Sequence, residues 1–159
     1  MPHIIPLREC PQHIEQLATW HFGEWGDLNP ANDVPARVAR FHQQLLANGL
    51  PTTWVAVDEQ NVLGSASLVA HDLELRSHLT PWLASVFVAP AQRGRGIGRS
   101  LVRRVMDHVE QLEIPRFYLF TMDQESFYRE LGWETLEKLV YCDRPIVVMQ
   151  YTCPAAAKK

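Results

Sequence analysis

Gln92-Arg93-Gly94-Arg95-Gly96-Ile97-Gly98-Arg99-Ser100 separates an almost wholly apolar segment, Trp82-Leu83-Ala84-Ser85-Val86-Phe87-Val88, from a strongly periodic one. The apolar segment reads as a central strand covered on both faces, and Pro90 ends it. Beyond the glycines, Ile97, Leu101, Val105, Val109 and Leu112 step by four, four, four and three, while Arg99, Arg103, Arg104 and Glu110 fall elsewhere on the wheel. That spacing predicts an amphipathic helix. Three glycines at alternate positions let the main chain bend tightly and present bare N–H groups, and a helix N-terminus adds partial positive charge. Arg93, Arg95 and Arg99 bring guanidinium groups, whose geometry suits phosphate. Strand, glycine turn and helix together predict an anion site, with a pyrophosphate as its natural guest.

Spacing narrows the choice among glycine loops. A dinucleotide fingerprint, G-x-G-x-x-G starting at Gly94, needs glycine where Arg99 stands and belongs to a first βαβ unit rather than to mid-chain. A Walker A loop needs a Gly-Lys pair, which the chain lacks. Upstream, a short extended opening at Ile4-Ile5-Pro6-Leu7 precedes Ile14, Leu17, Ala18 and Phe22 at helical spacing, a helix expected to end near Gly23. Asp33 reads as an N-cap with Pro35 in the first turn of a second helix, whose stripe Val34, Val38, Phe41, Leu45 and Leu46 stops at Asn48-Gly49. Thr53 to Val57 and Val62 to Ala70 read as a hairpin, and His71 to Ser77 as a loop. Downstream come a strand from Phe117 to Thr121, a short helix from Glu125 to Leu131 stopped by Gly132, and late strands Trp133 to Val140 and Ile146 to Tyr151 around Asp143-Arg144-Pro145. This mixed order predicts an α+β sandwich.

Composition bounds the function. The 159 residues carry 15 Lys+Arg against 18 Asp+Glu, a net charge of −3, which argues against a nucleic-acid-coating surface. With 47% hydrophobic and 21% charged residues, one globular domain can bury its core. No apolar run is long enough to span a bilayer and no basic-then-apolar opening follows Met1, so a cytoplasmic protein without membrane contact is expected. Cys10, Cys142 and Cys153 form no metal or redox spacing and read as free thiols; no metal is expected.

The pattern Gln/Arg-x-x-Gly-x-Gly/Ala, filled by Arg93, Gly96 and Gly98 directly after the apolar strand, resembles that of the GNAT superfamily of acetyl-CoA-dependent N-acetyltransferases. A second anchor about 30 residues on, Phe127-Tyr128-Arg129-Glu130-Leu131-Gly132-Trp133, is similar to the family's aromatic-Tyr-x-x-Leu-Gly-aromatic segment. The resemblance covers essentially residues 4 to 151, the first 50 in element order only. It implies one GNAT-like domain over residues 1–153, built as an α/β sandwich with a mixed central sheet of about seven strands and about four helices. Residues 154–159 are expected to form a disordered tail.

The resemblance further implies that the fourth and fifth strands splay and admit the pantetheine arm of acetyl-CoA. Backbone groups of Val86, Phe87 and Val88 would pair with that arm, and the amides of Arg93, Gly94, Arg95, Gly96, Ile97, Gly98, Arg99 and Ser100 would hold the diphosphate. Gln124 would approach the pantetheine, although many members place an Asn where Thr121 stands. Tyr128 occupies the position of the usual general acid, the bland alternative being a core tyrosine with its hydroxyl bonded. Transfer to an amine also needs a base, since an ammonium has no lone pair. The central strand offers no carboxylate, leaving His71, Asp72, Glu74, His78 and Glu24 as candidates. Trp25 and Trp82 are expected nearest the acceptor side, and Glu24, Asp27 and Asp33 hint at a cationic acceptor, blunted by Arg37 and Arg40. The implied activity is direct acetyl transfer, in a ternary complex, to a primary amine of a small molecule or to a peptide N-terminus, by a monomer or homodimer. The alternative is a non-catalytic acyl-CoA-binding sensor.

Overall fold

The computed structural model describes residues 2–46, 50 and 52–154. In chain order the regular elements are β1 (His3–Pro6), α1 (Ile14–Trp25), α2 (Val34–Leu46), β2 (Thr52–Asp58), β3 (Asn61–Val69), β4 (Trp82–Val88), α3 (Ile97–Gln111), β5 (Arg116–Thr121), α4 (Glu125–Glu130), β6 (Glu134–Tyr141) and β7 (Arg144–Thr152). The seven strands form one mixed sheet in the order β1-β2-β3-β4-β5-β7-β6, antiparallel throughout except between β4 and β5. Four helices complete the α+β architecture that the sequence predicts.

Alternation along the strands sorts side chains to two faces. On β2, Trp54 and Ala56 pack with Leu101, Val105 and Val109 of α3, whereas Val55 packs with Leu17 and Ala18 of α1 and Phe41 of α2. On β5, Phe117 and Leu119 join the α3 side, while Tyr118 joins Trp82, Leu73, Ile146 and Val148 on the other. Helices therefore cover both faces of the sheet. The apolar stripe of α3 is buried at Ile97, Leu101, Val105 and Val109 as read from the sequence, with Val102 buried beside it, whereas Leu112, expected to continue the stripe, lies just past the helix and is exposed.

Several boundaries differ for local reasons. α1 runs through Gly23 to Trp25, because a single glycine weakens a helix by only about 1 kcal/mol and does not by itself end it. The Asp33 cap is present, its Oδ1 accepting the Ala36 N–H at 3.0 Å. The expected stop of α2 at Asn48-Gly49, and the tail from residue 155, lie outside the described residues. The loop after β3 contains a 3₁₀ turn, Glu74–Arg76. The late hairpin turns on Cys142 and Asp143, at φ 51° and 61°, so Arg144 and Pro145 belong to β7. Two consecutive left-handed residues form a tight hairpin usually signalled by Asn-Gly, a signal absent here.

Candidate active site

Two irregularities in the middle of the sheet create the site. First, β4 and β5 pair at a single position, Trp82 with Tyr118, and beyond it the strands part. Second, β4 carries a bulge. Ser67 lies opposite Ala84 but Ser65 opposite Phe87, and Ser85 adopts φ 54°. An extra residue in one strand shifts every later side chain to the opposite face. Leu83 faces α3 before the bulge; after it Val86 and Val88 pack on the α3 side, and Phe87 turns toward α1.

The bulge also sorts the backbone groups expected to meet pantetheine. Ala89 N–H bonds the Leu63 carbonyl at 2.8 Å, and a Cβ at Gly64 would come within 2.5 Å of the Phe87 carbonyl oxygen, so Phe87 faces β3. Val86 and Val88, alternating with it, present their groups to the open side of β4. The Val88 carbonyl there accepts Arg93 Nε at 2.9 Å. Of the three residues named from the resemblance, Phe87 thus contributes a side chain to the cleft rather than a backbone group.

The glycine loop is as open as its residue types suggest. Gly94 and Gly96 have φ of 82° and 81°, a region hostile to side chains, and space around both is empty where a Cβ would stand. Ser100 N–H bonds the Gly96 carbonyl at 3.1 Å, and no side chain caps α3. The amides of Ile97, Gly98 and Arg99 therefore have no acceptor within the helix and are available to an anion. The arginine side chains are already engaged. Arg93 lies 5.6 Å from the Phe87 ring centroid, Arg95 bonds Gln92, and Arg99 pairs with Glu130 at 3.6 Å. Main-chain amides rather than guanidinium groups are therefore the donors that this loop leaves open.

A cleft of about 1530 Å³ runs from this loop through the gap between β4 and β5 to α1, α2 and the β6–β7 turn. Tyr128 lies in its wall, 7% exposed, edge-on to Phe127 and Trp133. Its ring belongs to the core cluster with Leu131 and Trp133, and its hydroxyl has no hydrogen-bond partner among the described residues. Burial, and secondarily the charge of Asp123, push the phenol well above its usual pKa, so it stays protonated. Gln124, also on the cleft, starts α4 with its N–H bonded to Thr121 Oγ1 at 3.1 Å.

Of the candidate bases, His71, Asp72, Glu74 and Glu24 border the cleft, and His78 does not. Asp72 borders the cleft with an exposed side chain, and desolvation by the surrounding chain pushes its carboxyl up to about 7. Trp25 lines the cleft as expected, but Trp82 is fully buried, its Nε1 bonded to the Leu79 carbonyl at 2.7 Å. Asp27 is paired with Arg144, and Asp33 serves as the α2 cap. Sequence reasoning missed His21. It is 2% exposed, bonds Ser65 Oγ at 2.8 Å, and sits among Trp25, Phe41 and Phe87; Ser65 Oγ in turn reaches the Ser85 carbonyl at 3.3 Å. Desolvation, with the charge of Arg37 second, lowers its pKa to about 3, so it is neutral. A histidine on the buried face of α1 was the available signal.

Among the described residues no helix is long and apolar enough to cross a membrane, and no group of His, Cys, Asp and Glu could hold a metal ion. Similar solved structures include an aminoglycoside 6'-N-acetyltransferase complexed with coenzyme A (17% identity, TM-score 0.74, covering 95% of this chain and 97% of that one). Another is yncA of Salmonella typhimurium with acetyl-CoA (18%, 0.72, 96% and 94%). A third is a spermidine N-acetyltransferase chimera from Vibrio cholerae and hSSAT (18%, 0.70, 99% and 99%). At such identities the likeness is one of fold. Residues 14–133 match the acetyltransferase (GNAT) family over three quarters of the chain, so this protein belongs to that family and is an acetyltransferase.

Proposed function

We propose that the protein transfers acetyl from acetyl-CoA to a primary amine of a small molecule or to a peptide N-terminus, directly, in a ternary complex. The observation that carries this reading is the continuity of one cleft from the open amides of α3 to the unpartnered hydroxyl of Tyr128. The diphosphate of the donor rests on the amides of Ile97, Gly98 and Arg99, and the pantetheine arm lies along Val86 and Val88, where Arg93 yields the Val88 carbonyl. The coenzyme A complexes of similarly folded proteins support the donor. The amine nitrogen attacks the thioester carbonyl carbon and the C–S bond breaks as the tetrahedral intermediate collapses. The departing sulfur takes the Tyr128 proton, and the surplus amine proton leaves through water to Asp72. The phenol then regains its proton from solvent.

Purified protein offered acetyl-CoA with a broad amine and peptide panel should release free CoA and yield an acetylated amine by mass spectrometry. Tyr128→Phe should lower kcat by about 10²–10⁴ with CoA affinity nearly unchanged. Absence of both CoA binding and CoA release would sink the reading. CoA binding with no turnover in the parent protein would leave the acyl-CoA sensor in its place.

A further inference from the structure

α2 turns a row of hydrogen-bond donors onto the cleft. Arg37, Arg40 and Gln44, at helical positions i, i+3 and i+7, all border it. Arg37 is held in place, with its Nε bonded to the Asn32 carbonyl at 2.8 Å and its guanidinium 5.9 Å from the Phe22 ring centroid. Its two terminal amino groups have no acceptor among the described residues. Neither guanidinium has a carboxylate within 4.0 Å among those residues, where the ion pairs use Arg76, Arg99, Arg129 and Arg144 instead. Asp33, one turn before Arg37, spends Oδ1 on the Ala36 amide. Gln44 accepts Thr53 Oγ1 through Oε1 at 2.8 Å, which leaves its NH₂ group as a donor. Burial and the neighbouring charge of Arg40 both disfavour the Arg37 cation, a penalty that a bound anion would relieve.

The position of this row matters as much as its charge. Arg37 is near enough to His21 to bear on its titration, and His21 packs against Phe87 on the α1 side of β4. The row therefore borders the cleft on the α1 side of Phe87, away from the main-chain cradle at the start of α3. Asp72, a carboxylate, stands on the same cleft. Resting on the acetyl-transfer reading above, we propose that Arg37, Arg40 and Gln44 form a subsite for an anionic group carried by the amine acceptor. That group is a carboxylate or a phosphate monoester, so the preferred acceptor is a zwitterion rather than a polycation. Guanidinium pairs suit both anions through paired N–H···O contacts.

The test is a titration of matched acceptors into protein saturated with CoA: α-amino acids against their decarboxylated amines, phosphoethanolamine against ethanolamine, and spermidine. Each member that carries the anionic group in the preferred series should bind at least about tenfold more tightly than its counterpart lacking that group, and whichever pair discriminates identifies carboxylate or phosphate. Arg40→Gln, at an exposed position of α2, should erase that preference by weakening the member that carries the anionic group about 10–100-fold. Its CoA affinity, read in the same titration, should stay within about twofold. Arg37→Lys, which keeps the charge but loses the fork, should weaken the anionic member less. Equal binding of matched members, preference for spermidine, or loss of CoA affinity in Arg40→Gln would overturn the subsite. A protein that binds no CoA fails the acetyl-transfer reading instead, and the same titration without CoA then decides the subsite.

Discussion

Two groups with shifted proton affinity, buried His21 and exposed Asp72 beside the cleft, predict how the molecule responds to pH. His21 is neutral in the fold with a pKa lowered to about 3, whereas an unfolded histidine titrates near 6.5. The unfolded chain therefore takes up the proton first. The contribution of the neutral ring to stability is complete above pH 6.5 and is lost as pH falls from 6.5 toward 3, at up to about 1.4 kcal/mol per pH unit. Thermal unfolding between pH 7 and 4 should show that slope, and His21→Gln should flatten it. Asp72 has the opposite shift, raised to about 7 by desolvation, and its carboxylate accepts a proton only when ionised. We expect log kcat/KM to rise with unit slope below pH 7 and to level above it, and Asp72→Asn to abolish the rise. A rate that falls across that interval would exclude Asp72 as the proton acceptor. Tyr128 complements it, because its own burial and the charge of Asp123 keep the phenol protonated.

The elements that matter most are β4 and the turn that follows it. The bulge at Ser85 aims Phe87 into the aromatic wall and leaves Val86 and Val88 on the open edge, while the closeness of Gly64 to the Phe87 carbonyl requires glycine on β3. The turn then delivers the start of α3 without a side-chain cap. Because Gly96 holds φ 81° over open space, Gly96→Val should cost about 1–3 kcal/mol of backbone strain. It should also crowd the diphosphate, and isothermal titration should find CoA binding at least about tenfold weaker in protein that still unfolds cooperatively. Undiminished affinity would show that the diphosphate lies elsewhere.

Across the whole molecule, the sheet serves as the frame and the cleft as a gap that the frame leaves open. α3 fastens β2, β3, β4 and β5 from one face, while α1 and α2 roof the other beside the parted strands. Asp27, just past α1, pairs with Arg144 at the start of β7, tying the end of α1 to the β6–β7 hairpin. Both partners are exposed, so this pair contributes at most about 1 kcal/mol to stability. Arg144→Ala should therefore leave the melting temperature almost unchanged while raising the acceptor KM, measured by steady-state CoA release. An unchanged KM would make the tie incidental.

Periodicity and local residue chemistry carried much of this architecture. The step of Ile97, Leu101, Val105 and Val109, the apolar run of β4, the alternate glycines and the Phe127-Tyr128 segment each encode their structure within a few neighbours. Strand, turn, helix and family followed from them. Contacts between distant segments decided the rest. Whether Phe87 faces α1 depends on an extra residue in β4 that no alternation pattern announces, and whether Trp82 reaches the cleft depends on the strands beside it. The pairing of Asp27 with Arg144, the gathering of Arg37 and Arg40 with Asp72 on one cleft, and the suppressed charge of His21 have the same origin. Pairing, burial and proton affinity are set by what the fold brings within a few ångströms, and those partners lie tens of residues away along the chain.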